Sequence, residues 1–347
     1  MGDNNTLDPT MASEDIPRRR RGRKLLLAGA TGAGLTLLLV FLFRDSLPWL
    51  GTDDAGNRFP PGVLADYVPE DSEALVVVNV RSLRESPIGR QHLGPSLQQI
   101  VRQAERRVRW MDLLGINLLE DVDTIQISFA PGAGDQPVWL MGGRLDRSRF
   151  QIGRDKLSET TLDRFRVWEY TDRATKRTTL LAPVGDVLVV SETRSRVLAA
   201  LKQANDPRPT SVRDAKLRDL LAKMDRRQSI WLAASIESLG PISGIDNYLL
   251  KIVLHPLLAH ADSVYGGIAC AEDLRIEMYF HAATDEDAVR LETALQNIHD
   301  TAPGAALLLE RQKELLPLLH MLGASTIGRD GKTIRLRCRL TADQLEG

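Results

Sequence analysis

Residues 74–89 read ALVVVNVRSLRESPIG, and residues 229–244 read SIWLAASIESLGPISG. Both stretches begin with an apolar run, continue into a Ser-Leu pair and then reach a Pro-Ile pair. A short run of β-branched and aliphatic residues such as 74–80 predicts a strand that is buried on both faces. The same order of features at two places predicts that one structural unit occurs twice in the chain.

The similarity extends beyond these opening strands. DTIQISFA at 123–130 matches DSVYGGIA at 262–269, at an offset of 139 residues. A second predicted strand follows in each half, PVWLMGGRL or LRIEMYFHA, and then an acidic helix start at Asp146 or Asp285. VLVVSETRSRVL in the first half also parallels IRLRCRLTADQL near the end of the chain. The alternative is chance, because patterning alone makes two amphipathic stretches look alike.

The predicted fold class is therefore α+β, with two similar halves built on mixed or antiparallel sheets. The first half covers residues 67–205 and the second covers residues 227–347. Residues 206–226 connect the halves and contain a predicted helix near 213–224, with Leu217, Leu220, Leu221 and Met224 on one face.

A membrane span is predicted before these halves, at residues 25–43, LLLAGATGAGLTLLLVFLF. The stretch begins at Leu25, ends at Phe43 and carries no charge. As a helix it is roughly 28 Å long, close to the thickness of the hydrocarbon core. Residues 18–24, RRRRGRK, precede it and place the N-terminus in the cytoplasm by the positive-inside rule. We therefore expect a disordered basic tail at 1–24, a linker at 44–66 and an extracytoplasmic main domain.

Other interpretations of residues 25–43 are weaker. Gly29, Gly32 and Gly34 have the spacing G-x-x-G-x-G, which differs from the dinucleotide-binding G-x-G-x-x-G, and no Walker lysine follows them. A cleaved signal peptide remains an alternative, but FLFRDSLPWL lacks a small-x-small cleavage site. The small residues of the span are spaced so that two such helices could approach closely and form a homodimer.

Net charge and cysteine count exclude some partners and some kinds of structure. The 347 residues carry a net charge of −1, and no basic stretch comparable to residues 18–24 occurs elsewhere, so nucleic acid is not an expected partner. Two cysteines, Cys270 and Cys338, are too few for a disulfide framework. Cys338 alternates with Arg335, Arg337 and Arg339, which predicts a buried thiol on a strand. One bridge would form only if the two strands were neighbours.

Residues with potential catalytic or ligand-binding chemistry form no recognisable motif. We expect no catalytic, metal-binding or cofactor-binding residues and no cofactor, because H-E-x-x-H, C-x-x-C and G-x-S-x-G are absent. Acidic residues before one strand could bind calcium or act as acid and base, but they are more typical of a solvated loop. The residues considered were His92, His255, His260, His281, His299, His320, Glu120, Asp121, Asp123, Ser235, Ser238 and Ser243.

Two apolar segments, residues 247–261 and 304–323, are too short and too interrupted to be further spans. They are predicted to be core helices, and the alternative is a groove for a lipid tail or a partner helix. Between them, Thr284 followed by Asp287 is typical of a helix start.

The order of a basic N-terminus, one span and an exported domain resembles a loose group of bacterial single-pass membrane-anchored proteins. The resemblance is carried by Pro69-Glu70-Asp71-Ser72 leading into ALVVVNV and by the strand-helix-hairpin order. It implies no activity. We therefore expect an extracytoplasmic binding protein that is not an enzyme and whose partner is a protein or an apolar ligand. A cell-envelope hydrolase with a non-sequential site and a purely structural tether are the alternatives.

Overall fold

The computed structural model describes residues 64–87, 109–130, 137–145, 148, 156–173, 175–205, 212–225, 227–237, 257, 259–308 and 321–341. The predicted span at 25–43, the tail at 1–24 and the linker up to residue 63 lie outside this part of the chain. So do most residues of the apolar segments 247–261 and 304–323. Within the described ranges, no helix combines the length and the apolar character that crossing a bilayer requires.

A single sheet of 12 strands, all paired antiparallel, forms the body of the molecule. In chain order the strands are β1 Ala74–Asn79, β2 Val122–Phe129, β3 Val138–Gly143, β4 Leu157–Leu162, β5 Phe165–Thr171, β6 Thr178–Val184, β7 Val187–Ser191, β8 Ile230–Ser235, β9 Ser263–Cys270, β10 Asp273–His281, β11 Thr326–Asp330 and β12 Thr333–Thr341. Their spatial order is β11-β12-β10-β9-β8-β1-β2-β3-β7-β6-β5-β4.

Helices lie on both faces of this sheet. They are a 3₁₀ turn at Ala65–Tyr67 and the helices α1 Val80–Glu85, α2 Arg109–Leu114, α3 Arg194–Ala204, α4 Ala215–Lys223 and α5 Asp285–Leu308. The predicted helix near 213–224 is α4, and its Leu217 and Leu220 are buried as expected. Thr284 caps α5, because the Asp287 N–H donates to its hydroxyl over 3.0 Å.

The predicted fold class, α+β with two halves on mixed or antiparallel sheets of their own, is wrong: the described chain is mostly one large antiparallel sheet of 12 strands with few helices. The two halves do not carry sheets of their own, because β1 pairs directly with β8 and Val76 lies opposite Leu232. Both strands are buried almost throughout, and a strand that is apolar on both faces cannot remain at a sheet edge without exposing apolar side chains and backbone groups. Joining the two opening strands removes both edges and makes one continuous antiparallel sheet.

The hydrogen-bond register is related on the two sides of the β1–β8 pair. Ala74 pairs with Phe129 in the first half, and Ile230 pairs with Ile268 in the second half. Ile230 follows Ala74 by 156 residues, and Ile268 follows Phe129 by 139 residues. The β6–β7 and β11–β12 hairpins correspond at an offset of 146, which also relates their turn glycines Gly185 and Gly331, both at positive φ. The sequence parallel between VLVVSETRSRVL and IRLRCRLTADQL is one residue out of this register. A one-residue slip moves every side chain to the other face of the sheet.

The two faces of the sheet are packed differently. One face, which we call the core face, carries a hydrophobic cluster that runs through both halves, from Leu188 and Val190 on β7 to Ile334 and Leu336 on β12. Side chains of α1, α2 and α5 complete this cluster. The opposite face is divided into two smaller clusters, one beneath α3 and one beneath α4. Among the described helices, those on the opposite face therefore lie over the first half and the centre of the sheet.

The cysteines do not form a bridge. Cys270 lies on β9 and Cys338 on β12, and β10 separates these strands, so both thiols are free. Burial raises the pKa of Cys270 to about 12 and that of Cys338 to about 11. The burial predicted for Cys338 from its alternation with arginines is confirmed.

Candidate binding surface

Equivalent strands of the two halves differ on the opposite face of the sheet. At the offset of 146, Val189 of β7 corresponds to Arg335 of β12. Val189 is buried beneath α3, whereas Arg335 is exposed. The side chains of β10 and β12 on this face form one surface, which we call the arginine face: Arg275, Glu277 and Tyr279 on β10, and Arg335, Arg337 and Arg339 on β12.

Strand geometry arranges this surface. The burial of β12 alternates strictly, so its three arginines project on one side while Ile334, Leu336, Cys338 and Leu340 enter the core. Side chains two residues apart on a strand are about 6.8 Å apart, which sets the spacing of the arginine row. Across the ladder, Arg339 lies opposite Arg275, Arg337 opposite Glu277 and Arg335 opposite Tyr279.

The middle of the arginine face is held by a small polar network. The guanidinium of Arg337 lies 2.5 Å from the Glu277 carboxylate, and the Tyr279 hydroxyl donates to the same carboxylate over 2.6 Å. Burial, followed by the proximity of Glu277, raises the pKa of Tyr279. The network positions Arg337, and about half of its side-chain surface remains open to solvent.

A buried carboxylate anchors one end of the face. Asp273 is 3% exposed and lies between Arg275, at 2.7 Å, and Arg339, which are 57% and 69% exposed. Both contacts are within ion-pair distance, although neither has hydrogen-bond geometry. Asp273 therefore neutralises part of the charge of two arginines that still face solvent.

Positive charge remains in excess on the arginine face. Arg335 is exposed, and no carboxylate within the described ranges pairs with it. Four guanidinium groups thus face the two carboxylates of Asp273 and Glu277. The arrangement can attract and orient anionic groups.

The two flanks of the arginine face carry different residues. On one side, Tyr279 stacks on Tyr265 of β9 with ring centroids 4.7 Å apart, and the Lys223 ammonium of α4 lies 5.8 Å from the Tyr265 ring centroid. On the other side, β11 places Thr326 opposite Arg337 and Gly328 opposite Arg335. A Cβ atom at Gly328 would meet nothing within 4 Å. Arg335 therefore has two stacked tyrosines on one flank and open space at the Cβ position of Gly328 on the other.

A pocket in the first half is a second candidate. It has a volume of about 310 Å³ and is lined by Glu70, Asp71, Ala199, Lys202, Gln203 and Arg213. Its charged groups are already neutralised: Glu70 lies 2.5 Å from Arg213, Lys202 lies 3.1 Å from Asp163, and Asp71 pairs with the buried Arg196. Asp71–Arg196 connects the 69–72 segment to α3, and Glu70–Arg213 connects it to the residues before α4, so the pocket walls have a structural role.

Beneath that pocket lies a buried polar cluster. Ser72 and Ser128 share a hydrogen bond of 2.6 Å, and Arg196 donates to the Ser128 hydroxyl over 3.4 Å. This cluster separates the two hydrophobic clusters of the opposite face. The motif Pro69-Glu70-Asp71-Ser72, which precedes β1, supplies Ser72 to this cluster and Asp71 to the ion pair with Arg196. The motif therefore holds the start of β1 against α3.

The acidic residues and histidines considered from the sequence do not assemble into a catalytic or metal site in the described part of the chain. Asp121 accepts the Asn117 N–H over 2.9 Å, and Asp123 lies 3.6 Å from Arg84. His281 contacts Thr333, and His299 contacts the Leu322 carbonyl. Among these ranges, no three His, Cys, Asp or Glu side chains are placed to hold a metal ion. His92, His255, His320, Ser238 and Ser243 lie outside them.

The arginine face was not singled out from the sequence, although its signal is present there. The alternation of Arg335, Arg337 and Arg339 identified a strand, but the spacing alone does not tell which face a helix covers. Arg275 and Glu277 carry no motif and join the surface only through pairing of β10 with β12.

Comparisons with known proteins leave the chain without a family. No protein-family model matches it, and no curated protein matches it. A solved structure, crystal form III of TP0453, aligns with 82% of this chain and 97% of its own chain, at 8% sequence identity and a TM-score of 0.48. At that TM-score the similarity supports no conclusion about fold or function.

Proposed function

We propose that the protein is a single-pass, membrane-anchored binding protein whose N-terminus is cytoplasmic and whose twelve-stranded sheet lies outside the cytoplasm. The uncharged residues 25–43 and the basic residues 18–24 support the anchor and its orientation. The sheet binds a protein partner through the arginine face. We do not assign it a catalytic role.

One observation carries the binding proposal. The side chains of β7 on the opposite face are covered by α3, whereas the corresponding strand β12 carries three exposed arginines on that face. The row of arginines is only partly neutralised and retains positive charge. Such a row can bind carboxylates or other anions in a defined orientation. Surface charge of this kind increases the rate of association with a partner of opposite charge.

The apolar-ligand alternative has less support. Val289 on α5, 48% exposed, is the only exposed large hydrophobic residue of the described ranges. An apolar ligand would require a larger exposed apolar surface. Polar and charged recognition therefore accounts better for this part of the molecule.

Topology is tested by fusing a reporter that is active only outside the cytoplasm to the C-terminus. The proposed orientation predicts activity from the fusion, together with full-length protein in the membrane fraction. Cytoplasmic activity of a matched reporter, or unprocessed chain in the soluble fraction, would contradict the anchor.

The arginine face is tested by placing a photo-crosslinking residue at Thr326, an exposed position on β11 beside the arginine row. The matched control is Thr161, an exposed threonine on β4 at the other edge of the sheet. We expect a discrete adduct in cells from position 326, absent from position 161 and lost in Arg335→Glu. A structural tether predicts no adduct that depends on Arg335.

A further inference from the structure

The arginine row on β12 has the period of an extended polypeptide. Arg335, Arg337 and Arg339 recur every second residue, so they are spaced by about 6.8 Å along the strand. A peptide in the extended conformation also places alternate side chains on one side at about this spacing. Carboxylates at alternate positions of such a peptide can therefore reach successive arginines without a change of register.

The chemistry of the row favours carboxylates. An arginine presents parallel N–H donors that match the two oxygens of a carboxylate. Arg335 has no carboxylate partner in the described part of the chain, and Arg339 shares Asp273 with Arg275. These two positions retain charge for a ligand, while Arg337 is positioned by Glu277.

The flank beside the row leaves room for a peptide backbone. Thr326 and Gly328 are the β11 residues opposite Arg337 and Arg335. The position of a Cβ at Gly328 is open, and Gly328 is not among the glycines with positive φ. On the other flank, the stacked Tyr279 and Tyr265 lie beside Arg335.

We infer that the arginine face takes an extended acidic segment of a partner protein, with carboxylates at alternate residues facing Arg335, Arg337 and Arg339. This inference rests on the proposed function and names the partner's chemistry. An anionic bilayer is the less favoured occupant, because surface-bound membrane proteins insert large apolar side chains beside their basic residues. The residues that form the arginine face are charged or hydroxyl-bearing.

The test uses the full-length chain in discs of zwitterionic lipid and two fluorescent decapeptides of equal composition. One alternates Glu and Thr, and the other carries the glutamates as one block followed by the threonines. We expect the alternating peptide to bind more tightly, and Arg335→Glu to weaken its binding by about tenfold or more. Gly328→Val, which changes no charge, should also weaken binding by filling the space beside Arg335.

The matched control is Arg166→Glu on β5, which reverses an exposed arginine, 64% exposed, in the first half. It should leave peptide binding unchanged. Equal binding of both peptides, or equal loss in Arg166→Glu and Arg335→Glu, would overturn the inference. Binding to anionic vesicles without binding to either peptide, or self-association lost in Arg335→Glu, would also overturn it.

The proposed function can fail separately. If position 326 gives an Arg335-dependent adduct in cells while neither peptide binds, the arginine face is a binding surface for a different occupant. If the adduct is absent as well, the binding role of the face is lost along with the acidic-segment inference.

Discussion

The two halves of the sheet share a register but not a surface. On the core face, apolar residues stand at corresponding positions, such as Leu188 and Ile334, and one hydrophobic cluster covers both halves. On the opposite face, Val189 beneath α3 corresponds to Arg335 in solvent. Backbone pairing therefore sets the architecture, whereas the side chains of one face decide whether a helix or water covers it.

Packing explains why α3 lies on the first half. Val197, Ala200 and Leu201 of α3 are fully buried against apolar side chains of β7, including Val187 and Val189. A helix placed over β12 in the same way would have to remove Arg335 from water, which is costly because no carboxylate in the described ranges pairs with it. The second half therefore keeps a charged surface where the first half has a core.

The largest expected effect comes from exchanging the corresponding residues. Val189→Arg places an unpaired guanidinium beneath α3 and should destabilise the protein by about 4 kcal/mol or more. The reciprocal Arg335→Val changes an exposed position and should alter the free energy of unfolding by less than about 0.5 kcal/mol. Urea unfolding of the detergent-solubilised chain measures both. Similar losses in the free energy of unfolding for the two variants would show that Arg335 on β12 is buried, as Val189 is.

A smaller effect is expected from the ion pair that joins the 69–72 segment to α3. Asp71→Ala leaves Arg196, which is 7% exposed, without its carboxylate and should cost about 2 kcal/mol, less than a fully buried pair because Asp71 itself is 54% exposed. The second half provides the control. Arg339→Ala leaves Asp273 still paired with Arg275 and should cost about 1 kcal/mol or less. If Arg339→Ala lost more stability than Asp71→Ala, the prediction would be wrong.

The helix that covers the core face offers a third measurement. Thr284→Ala removes the acceptor for the Asp287 N–H at the start of α5 and should lower the free energy of unfolding by about 1 kcal/mol. Thr293→Ala, in the middle of α5, is the matched control, because its hydroxyl donates only to the Val289 carbonyl. Thermal unfolding distinguishes the two. Equal midpoints would mean that the cap contributes nothing to the core face.

The smallest expected effect is a pH dependence at the end of the central strand pair. Burial, followed by repulsion from Asp214, Glu237 and Asp71, raises the pKa of Glu73 above its ordinary value. The folded protein therefore binds the Glu73 proton more tightly than the unfolded chain does. The stability that this proton contributes is present at low pH and is lost as pH rises through the raised pKa of Glu73. Glu73→Gln should be more stable than the native chain at pH 7 and lose this advantage below about pH 4. A constant difference across pH would refute the assignment.

Local patterns predicted much of the secondary structure, and the reasons are physical. The apolar run at 74–80 became β1, the alternation around Cys338 became β12, and Thr284 became the cap of α5. Each depends on neighbours in the chain, where side-chain period and capping chemistry act directly. The anchor at 25–43 is a prediction of the same local kind and lies outside the described residues.

The sequence by itself determined β1, the cap of α5 and the alternation of charge along β12, because these depend on a few adjacent residues. Only the tertiary structure decided that β1 joins β8, more than a hundred residues away, and that Arg275, Glu277 and Arg335 share one surface. Strand partners are chosen by which apolar edges must be removed from water, and that choice depends on the whole sheet.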